Sequence, residues 1–328
     1  MECQANPKEC GGLAQFKLGQ CYKTESQVSG QHNKKEEAIS LFTIAAVFGY
    51  AEAQLLMGNY HLQGHGFIKN AKQAFEWYEK AAKQKHAKAQ CMLGTCYEKG
   101  IGGNQNAFDA SQWYESSAKL GYAKAQYILG NCYFKGHLNY LQNFNSAFHY
   151  YQLASQQNFK KAQFRLGCCY EQGLGTAKNA AEAFKFYLAA SDECVEALVA
   201  VAHCHRKGIG IPKDEVKAIQ CYKTAKDRGS LDAQVYLGRF YIEGRIIQKN
   251  EQEGHKLLAD AAIKGSKIAN QCLDEFHKKR NEIHENNAKT KEALQALNDQ
   301  ECREALKEAQ RYENGTGVPN IFCVLILT

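Results

Sequence analysis

Proline is almost missing from this chain: Pro7, Pro212 and Pro319 are the only three in 328 residues. A proline inside a helix removes a hydrogen bond and clashes with the preceding turn, so the scarcity suits a mostly helical chain and excludes a Pro-rich linker. No apolar run approaches the roughly 18–20 residues that span a bilayer. The opening MECQANPKEC has no apolar core of the kind a signal peptide carries. The expectation is a cytoplasmic protein without an integral membrane segment. One-sided charge is also lacking. The 41 Lys+Arg face 34 Asp+Glu, and the longest basic run, Lys278-Lys279-Arg280, is flanked by Glu275 and Glu282. Nucleic-acid modules concentrate basic charge on one face or in one run, so the net +7 reads as a mixed, solvated surface and no nucleic-acid partner is expected. What the chain has in quantity is glycine, 27 residues, and cysteine, 14.

The glycines keep time. One series runs Gly19, Gly58, Gly94, Gly130, Gly167, Ala202 and Gly238. A second runs Gly64, Gly100, Gly136, Gly173, Gly208 and Gly244. A third series is aromatic: Tyr78, Tyr114, Tyr151, Tyr187 and Tyr222, ending in Leu258. All three step by about 36 residues, the mark of a repeat architecture. Each unit holds two helical phrases. In the first, Ala89, Leu93 and Tyr97 lie four apart; in the second, Ala74, Trp77, Tyr78 and Ala81 follow i, i+3, i+4, i+7. Both spacings make one apolar stripe on a helix of 3.6-residue period. Glycine after the first phrase predicts a left-handed C-cap. Asn70, Asn106, Asn179, Asp214 and Asn250, six residues further on, predict N-caps of the second helix, with Asn143 one step late.

The pattern A-x-A-Q-x-x-L-G-x-x-Y-x-x-G-x-G followed by A-x-x-W-Y-x-x-A-A resembles the Sel1-like repeat, a relative of the tetratricopeptide repeat. The clearest units are 86–121, through Ala89, Gln90, Leu93, Gly94, Tyr97, Gly100, Gly102, Ala110, Trp113 and Tyr114, and 50–85. The resemblance implies an all-α fold, a right-handed α/α superhelix of antiparallel helix pairs. Elementary packing points the same way, because one pair cannot bury its apolar face alone and a stack can. Residues 1–273 are therefore expected to form one solenoid of about six and a half repeats in place of the two domains suggested by length. In the first unit about three extra residues around Glu25–Asn33 predict a longer surface turn. Residues 274–311, where Asp274 and Arg280 replace repeat glycines, predict one or two charged amphipathic helices with Leu294, Leu297, Ala305 and Leu306 as a thin apolar set. Residues 312–328 start a further unit at Tyr312 and end in the apolar run Ile321–Leu327.

Chemistry has little room in this pattern. A turn such as Gly208-Ile209-Gly210 follows a helix, whereas a phosphate loop follows a strand. Cys21, Cys96, Cys132, Cys169 and Cys204 share one repeat position. Equivalent residues of neighbouring units lie about 10 Å or more apart, a helix diameter. A disulfide needs Cα atoms within about 7 Å, and zinc binds sulfur at about 2.3 Å. The ladder thus reads as small, buried or half-buried hydrophobes in a reducing compartment. Some secreted relatives carry regularly spaced cysteine pairs, and no recurring pair is present here. His203 and His205 point about 200° apart on a helix and cannot share a metal. No catalytic residue, metal ligand, cofactor or small-molecule substrate is assigned; a Cys/His hydrolase or a metal enzyme is the competing class.

The remaining reading is a non-enzymatic scaffold or adaptor whose partners are proteins. The resemblance adds that relatives assemble quality-control or signalling complexes and, in bacteria, include virulence and host-interaction proteins, for which the host cytosol would be a second location. Positions five and two residues before the repeat tyrosine, or the histidine in its place, flank the core stripe of the first helix. They read Leu56 and Asn59, Met92 and Thr95, Ile128 and Asn131, Arg165 and Cys168, Ala200 and His203, Tyr236 and Arg239. Of these, Asn59, Asn131, Arg165, His203, Tyr236 and Arg239 are the candidate partner-binding residues, with Arg165, Tyr236 and Arg239 first because Arg and Tyr anchor interfaces.

Overall fold

The computed structural model describes residues 7–29, 32–244 and 246–313, and every regular element among them is an α-helix. The chain forms two compact units that meet in sequence at Arg228 and Gly229. In the first, six helix pairs follow one another: α1 (Pro7–Ser29) with α2 (His32–Val47), α3 (Ala51–Gln63) with α4 (Ala71–Lys83), α5 (Ala87–Lys99) with α6 (Ala107–Lys119), α7 (Ala123–Lys135) with α8 (Phe144–Gln156), α9 (Lys160–Gln172) with α10 (Ala180–Ala190), and α11 (Val195–Lys207) with α12 (Glu215–Asp227). Each first helix packs on its own second helix, and α2, α4, α6, α8 and α10 each pack on the first helix that follows. The second unit packs α13 (Leu231–Glu243) on α14 (Glu251–Ile263) and both on the long α15 (Lys267–Glu313).

The helix ends obey the predicted punctuation. Gly64, Gly100, Gly136, Gly173, Gly208 and Gly244 all cap in the left-handed region. Asn70, Asn106, Asn143, Asn179, Asp214 and Asn250 all accept a backbone N–H from the first turn of the following helix. Where the capping glycine is replaced, the helix runs on. Glu25 holds that place in the first unit, and α1 continues to Ser29, so part of the expected surface turn is helix instead. Arg280 holds it in α15, which extends over 47 residues as a single helix. Side chains of Leu294, Leu297, Ala305 and Leu306 lie outside the described set, as do all residues after Glu313.

Two repeated contacts join neighbouring pairs. The repeat glutamine reaches back across the junction: Gln54, Gln90 and Gln126 donate Nε2 to Ala46 O, Ala82 O and Ala118 O at 3.1, 3.2 and 3.3 Å. The second contact is aromatic and edge-to-face. Phe75 meets Tyr97 at 5.2 Å and 79°, Phe148 meets Tyr170 at 5.4 Å and 85°, and Phe184 meets His205 at 5.6 Å and 83°. Aromatic pairs prefer this geometry because a ring's positive edge faces its neighbour's negative face. One junction has Ser111 in place of the phenylalanine. There the loop after Gly136 is one residue longer, Leu138 adopts φ 57, and Tyr140 packs on Tyr133 at 4.5 Å with its hydroxyl donating to Glu115 at 2.8 Å. The extra residue that sets Asn143 one step late thus supplies the ring that Ser111 cannot.

Two stability predictions follow from these contacts. Gly100 has φ 67 and a would-be Cβ there meets only ordinary van der Waals contacts, the nearest at 3.5 Å, whereas a Cβ on Gly102 would overlap the Ala71 carbonyl. Gly100→Ala should therefore cost about 1 kcal/mol and Gly102→Ala several times more, read from denaturant midpoints. Gln54 Oε1 accepts from Gln84 Nε2 at 2.7 Å and Gln126 Oε1 from Gln157 Nε2 at 2.9 Å, but buried Gln90 Oε1 has no hydrogen-bond partner among the described residues. The residue equivalent to Gln84 and Gln157 is Leu120, which is 48% exposed. Leu120→Gln should stabilise the chain by about 1 kcal/mol. A lowered midpoint would show that the carbonyl is already satisfied.

Candidate functional site

The second helices present Tyr78, Tyr114, Tyr151, Tyr187 and Tyr222, all with at most 1% of their surface exposed. Each ring is admitted by the small residue of the L-G-x-x-Y phrase. A Cβ on Gly94 would stand 2.9 Å from Tyr114 Cδ1, and one on Gly130 would stand 2.5 Å from Tyr151 Cε1. Gly94 and Gly130 therefore let the ring lie against bare backbone. The ring crosses its unit and delivers its hydroxyl to the half-buried face of the first helix, where the candidate residues stand.

Tyr78 donates to Asn59 Oδ1 at 2.8 Å and Tyr151 to Asn131 Oδ1 at 2.9 Å. In units with Thr95 or Cys168 instead, a carboxylate one turn further on takes the hydroxyl: Tyr114 donates to Glu98 Oε2 at 2.6 Å and Tyr187 to Glu171 Oε2 at 2.6 Å. Units that carry the asparagine have Leu62 or Phe134 at the carboxylate's place. His203 stands at the asparagine position opposite Tyr222, with ring centroids 5.7 Å apart. Three of the six sequence candidates, Asn59, Asn131 and His203, are thus drawn into support of the buried tyrosines. Glu98 and Glu171 were not singled out by sequence; the signal that finds them is their absence from the units that hold asparagine.

The other three candidates are also half-buried. In the first unit the Arg165 guanidinium lies over the Phe134 ring at 6.0 Å and beside Tyr127. In the second unit Tyr236 and Arg239 share one helix, with Arg239 beside the Cys272 thiol. A cleft of about 410 Å³ lies between α5 and α7, lined among others by Glu98, Ile128, Asn131, Lys135 and His137. His137 Nε2 approaches Glu98 Oε1 at 3.3 Å across it.

The cysteine ladder is packing. Cys96, Cys132, Cys169 and Cys204 are buried, and burial pushes their thiols up to about 11, 12, 12 and 11. A protonated thiol is a poor nucleophile. Cys21 departs from this reading. It is exposed, on a helix that packs on α2. All the cysteines among the described residues are free thiols, and no group of three or more His, Cys, Asp or Glu there could hold a metal ion. No helix among the described residues is long and apolar enough to cross a membrane.

The histidines give a pH dependence. Burial, with Arg206 and Lys207 nearby, lowers His203 to about 4, and burial also lowers His61 and His205. The folded-state value lies below the unfolded one, near 6.5, so the unfolded chain binds the proton more readily. The stability from a neutral His203 is present in full above about pH 6.5 and is lost as pH falls toward 4, on the order of 3 kcal/mol. His203→Asn, which installs the residue found at Asn59 and Asn131, should flatten that slope in denaturation midpoints measured between these pH values. An unchanged slope would place the acid sensitivity elsewhere.

The Sel1 repeat family model matches seven consecutive segments, 12–46, 51–86, 87–122, 123–159, 160–193, 195–230 and 231–266. Among solved structures, a Sel1 repeat protein from Oxalobacter formigenes is 31% identical, with a TM-score of 0.66, and the match covers 78% of this chain and 97% of that one. The protein c5321, described as a protective antigen of uropathogenic Escherichia coli displaying the same repeat fold, is 26% identical with a TM-score of 0.68. That match covers 80% of this chain but 56% of the E. coli protein, so this chain spans little more than half its length. No functionally curated protein matches this chain significantly. With helix pairs recurring through seven matched segments and glycine-seated tyrosines in four of them, the chain belongs to the Sel1 repeat family.

Proposed function

We propose that this chain is a non-catalytic scaffold that holds protein partners on the exposed sides of its first helices. The observation that carries this reading is the division of labour within each repeat. The recurring residues are consumed by caps, by the tyrosine seat and by the junction contacts, and side chains that vary from unit to unit are left half-exposed on one helix face. Of the six candidate residues, Asn59, Asn131 and His203 serve the buried tyrosines; direct partner contact is assigned to Arg165, Tyr236 and Arg239, half-buried side chains that also make contacts within the chain. Arginine and tyrosine suit that role, since each combines a broad contact surface with directional hydrogen bonding. High thiol values at the buried cysteines speak against the competing thiol-hydrolase class. A finer reading, a host-interaction factor, is supported by the likeness to the E. coli protective antigen.

The test is affinity capture from the source cell followed by mass spectrometry, comparing the unaltered chain with a variant carrying Arg165→Ala, Tyr236→Ala and Arg239→Ala. Partners recovered with the first and lost with the second, at unchanged helical circular dichroism, support the surface. Equal recovery removes these residues from it.

A further inference from the structure

The first helices of the Met1–Arg228 unit carry a second pattern on the same half-exposed stripe, one turn outward at each end. At the N-terminal end the residues are Glu52, Lys88, Lys124, Lys161 and Glu196, in successive repeats. At the C-terminal end, Lys99 and Lys135 occupy the matching place on α5 and α7. All five lysines are exposed. Between the two rows lie half-buried Met92 and Ile128, and on α9 the third rung is Arg165. The three central repeats thus present an apolar floor bounded by ammonium groups and ending on a guanidinium.

None of these five lysines has a carboxylate within ion-pair distance among the described residues. Lysines of the second helices behave differently: Lys83 pairs with Glu79 at 3.0 Å, Lys119 with Glu115 at 3.9 Å, and Lys217 with Asp214 at 3.3 Å. The nearest acidic groups on the stripe are already engaged. Glu98 takes the Tyr114 hydroxyl and faces His137, and Glu171 takes the Tyr187 hydroxyl. Glu196 accepts from Cys194 Sγ at 3.1 Å, and its carboxyl is held low first by its own backbone N–H, with Lys161 and Arg165 adding to the effect. Lys88, Lys124 and Lys161 thus stand on three adjacent rungs without a direct ion pair among the described residues, while Glu98 and Glu171, one per end helix, are held by the tyrosine hydroxyls, and Glu52 and Glu196 mark the two limits of the row.

We infer that this stripe receives an acidic–apolar protein segment, one in which carboxylates alternate with aliphatic side chains, laid across α5, α7 and α9. This deepens the scaffold reading and rests on it. Carboxylates meet Lys88, Lys124 and Lys161, one takes the fork of Arg165, and aliphatic groups settle between Met92 and Ile128. Helices about 10 Å apart make three rungs span about 20 Å, which an extended segment of six or seven residues covers at about 3.3 Å each. A nucleic acid fits less well: its phosphates would want an unbroken basic track with aromatic platforms for the bases, and this stripe has an aliphatic floor closed off by Glu52 and Glu196.

The full chain is titrated by fluorescence anisotropy with three labelled probes: a peptide about 12 residues long alternating Leu and Glu, the same peptide with Lys for Glu, and a single-stranded oligonucleotide of similar length. The acidic peptide should bind, and Lys88→Glu with Lys124→Glu and Lys161→Glu should weaken it by at least about tenfold. Arg165→Ala should weaken it as well, whereas Lys83→Glu with Lys119→Glu, on paired lysines of the second helices, should leave it unchanged. Binding that is absent, that survives the triple charge reversal, or that is matched by the basic peptide or exceeded by the oligonucleotide overturns the inference. Native partners still captured by the charge-reversed chain would overturn it too while leaving the scaffold reading standing.

Discussion

The structure depends on one contact: an aromatic ring of the second helix seated against the bare backbone of the first. A helix pair joined this way gains close approach, because a glycine keeps no side chain between the axes, and it buries a large ring completely. Gly58, Gly94, Gly130 and Gly167 each lie against the matching tyrosine, and Gly19 makes the same seat for Phe42. Glycine inside a helix is unfavourable by about 1 kcal/mol relative to alanine. The full burial of a tyrosine ring more than offsets this, since removing a comparable buried aromatic side chain costs about 3–5 kcal/mol. In the unit with Ala202 at the glycine's place, Tyr222 is still fully buried.

Seating the ring creates the next requirement. A buried hydroxyl must find an acceptor, and the ring is long enough to carry it to the far side of the first helix. Two solutions appear along the chain, asparagine and a glutamate one turn later, and at Tyr222 a histidine ring packs edge-on against the tyrosine ring. The exposed face of the first helix is therefore partly an inward-looking device. Its polar residues are positioned by the core before any partner arrives, and a rigid, preorganised surface binds with less ordering cost. The same logic divides the charge. Lys83, Lys119, Lys185 and Lys217 of the second helices sit near carboxylates of their own helix or its N-cap, while Lys88, Lys124 and Lys161 of the first helices form no ion pair among the described residues.

Much of this was legible in the residues alone. The period, the paired helices, the glycine C-caps and the six polar N-caps follow from local chemistry, and each is found at its residue. So are the limits of the pattern: with Glu25 or Arg280 in place of the capping glycine, nothing forces the chain into a left-handed turn, and α1 and α15 continue. The same residues did not reveal how far each candidate was spoken for. Asn59 and Asn131 look like surface polar groups by spacing, and only their hydroxyl partners, some 20 residues away in sequence, disclose their structural task. Cys21 shows the converse. Its repeat position predicts burial, yet its side chain is exposed while those of Cys96, Cys132, Cys169 and Cys204 are buried.

The sequence by itself determined the elements and their repetition, because caps, turns and apolar stripes act over a few residues and need no distant partner. Tertiary structure alone decided which half-exposed side chains remain available. It brings Tyr140 into the place left by Ser111, gives Glu98 and Glu171 to the tyrosine hydroxyls, and leaves Gln90 without the glutamine that Gln54 and Gln126 have. It also leaves Lys88, Lys124 and Lys161, on three neighbouring first helices, without an ion pair among the described residues. These outcomes depend on distances between groups about 16 to 40 residues apart, set by how one helix pair lies on the next, and no local pattern contains that information.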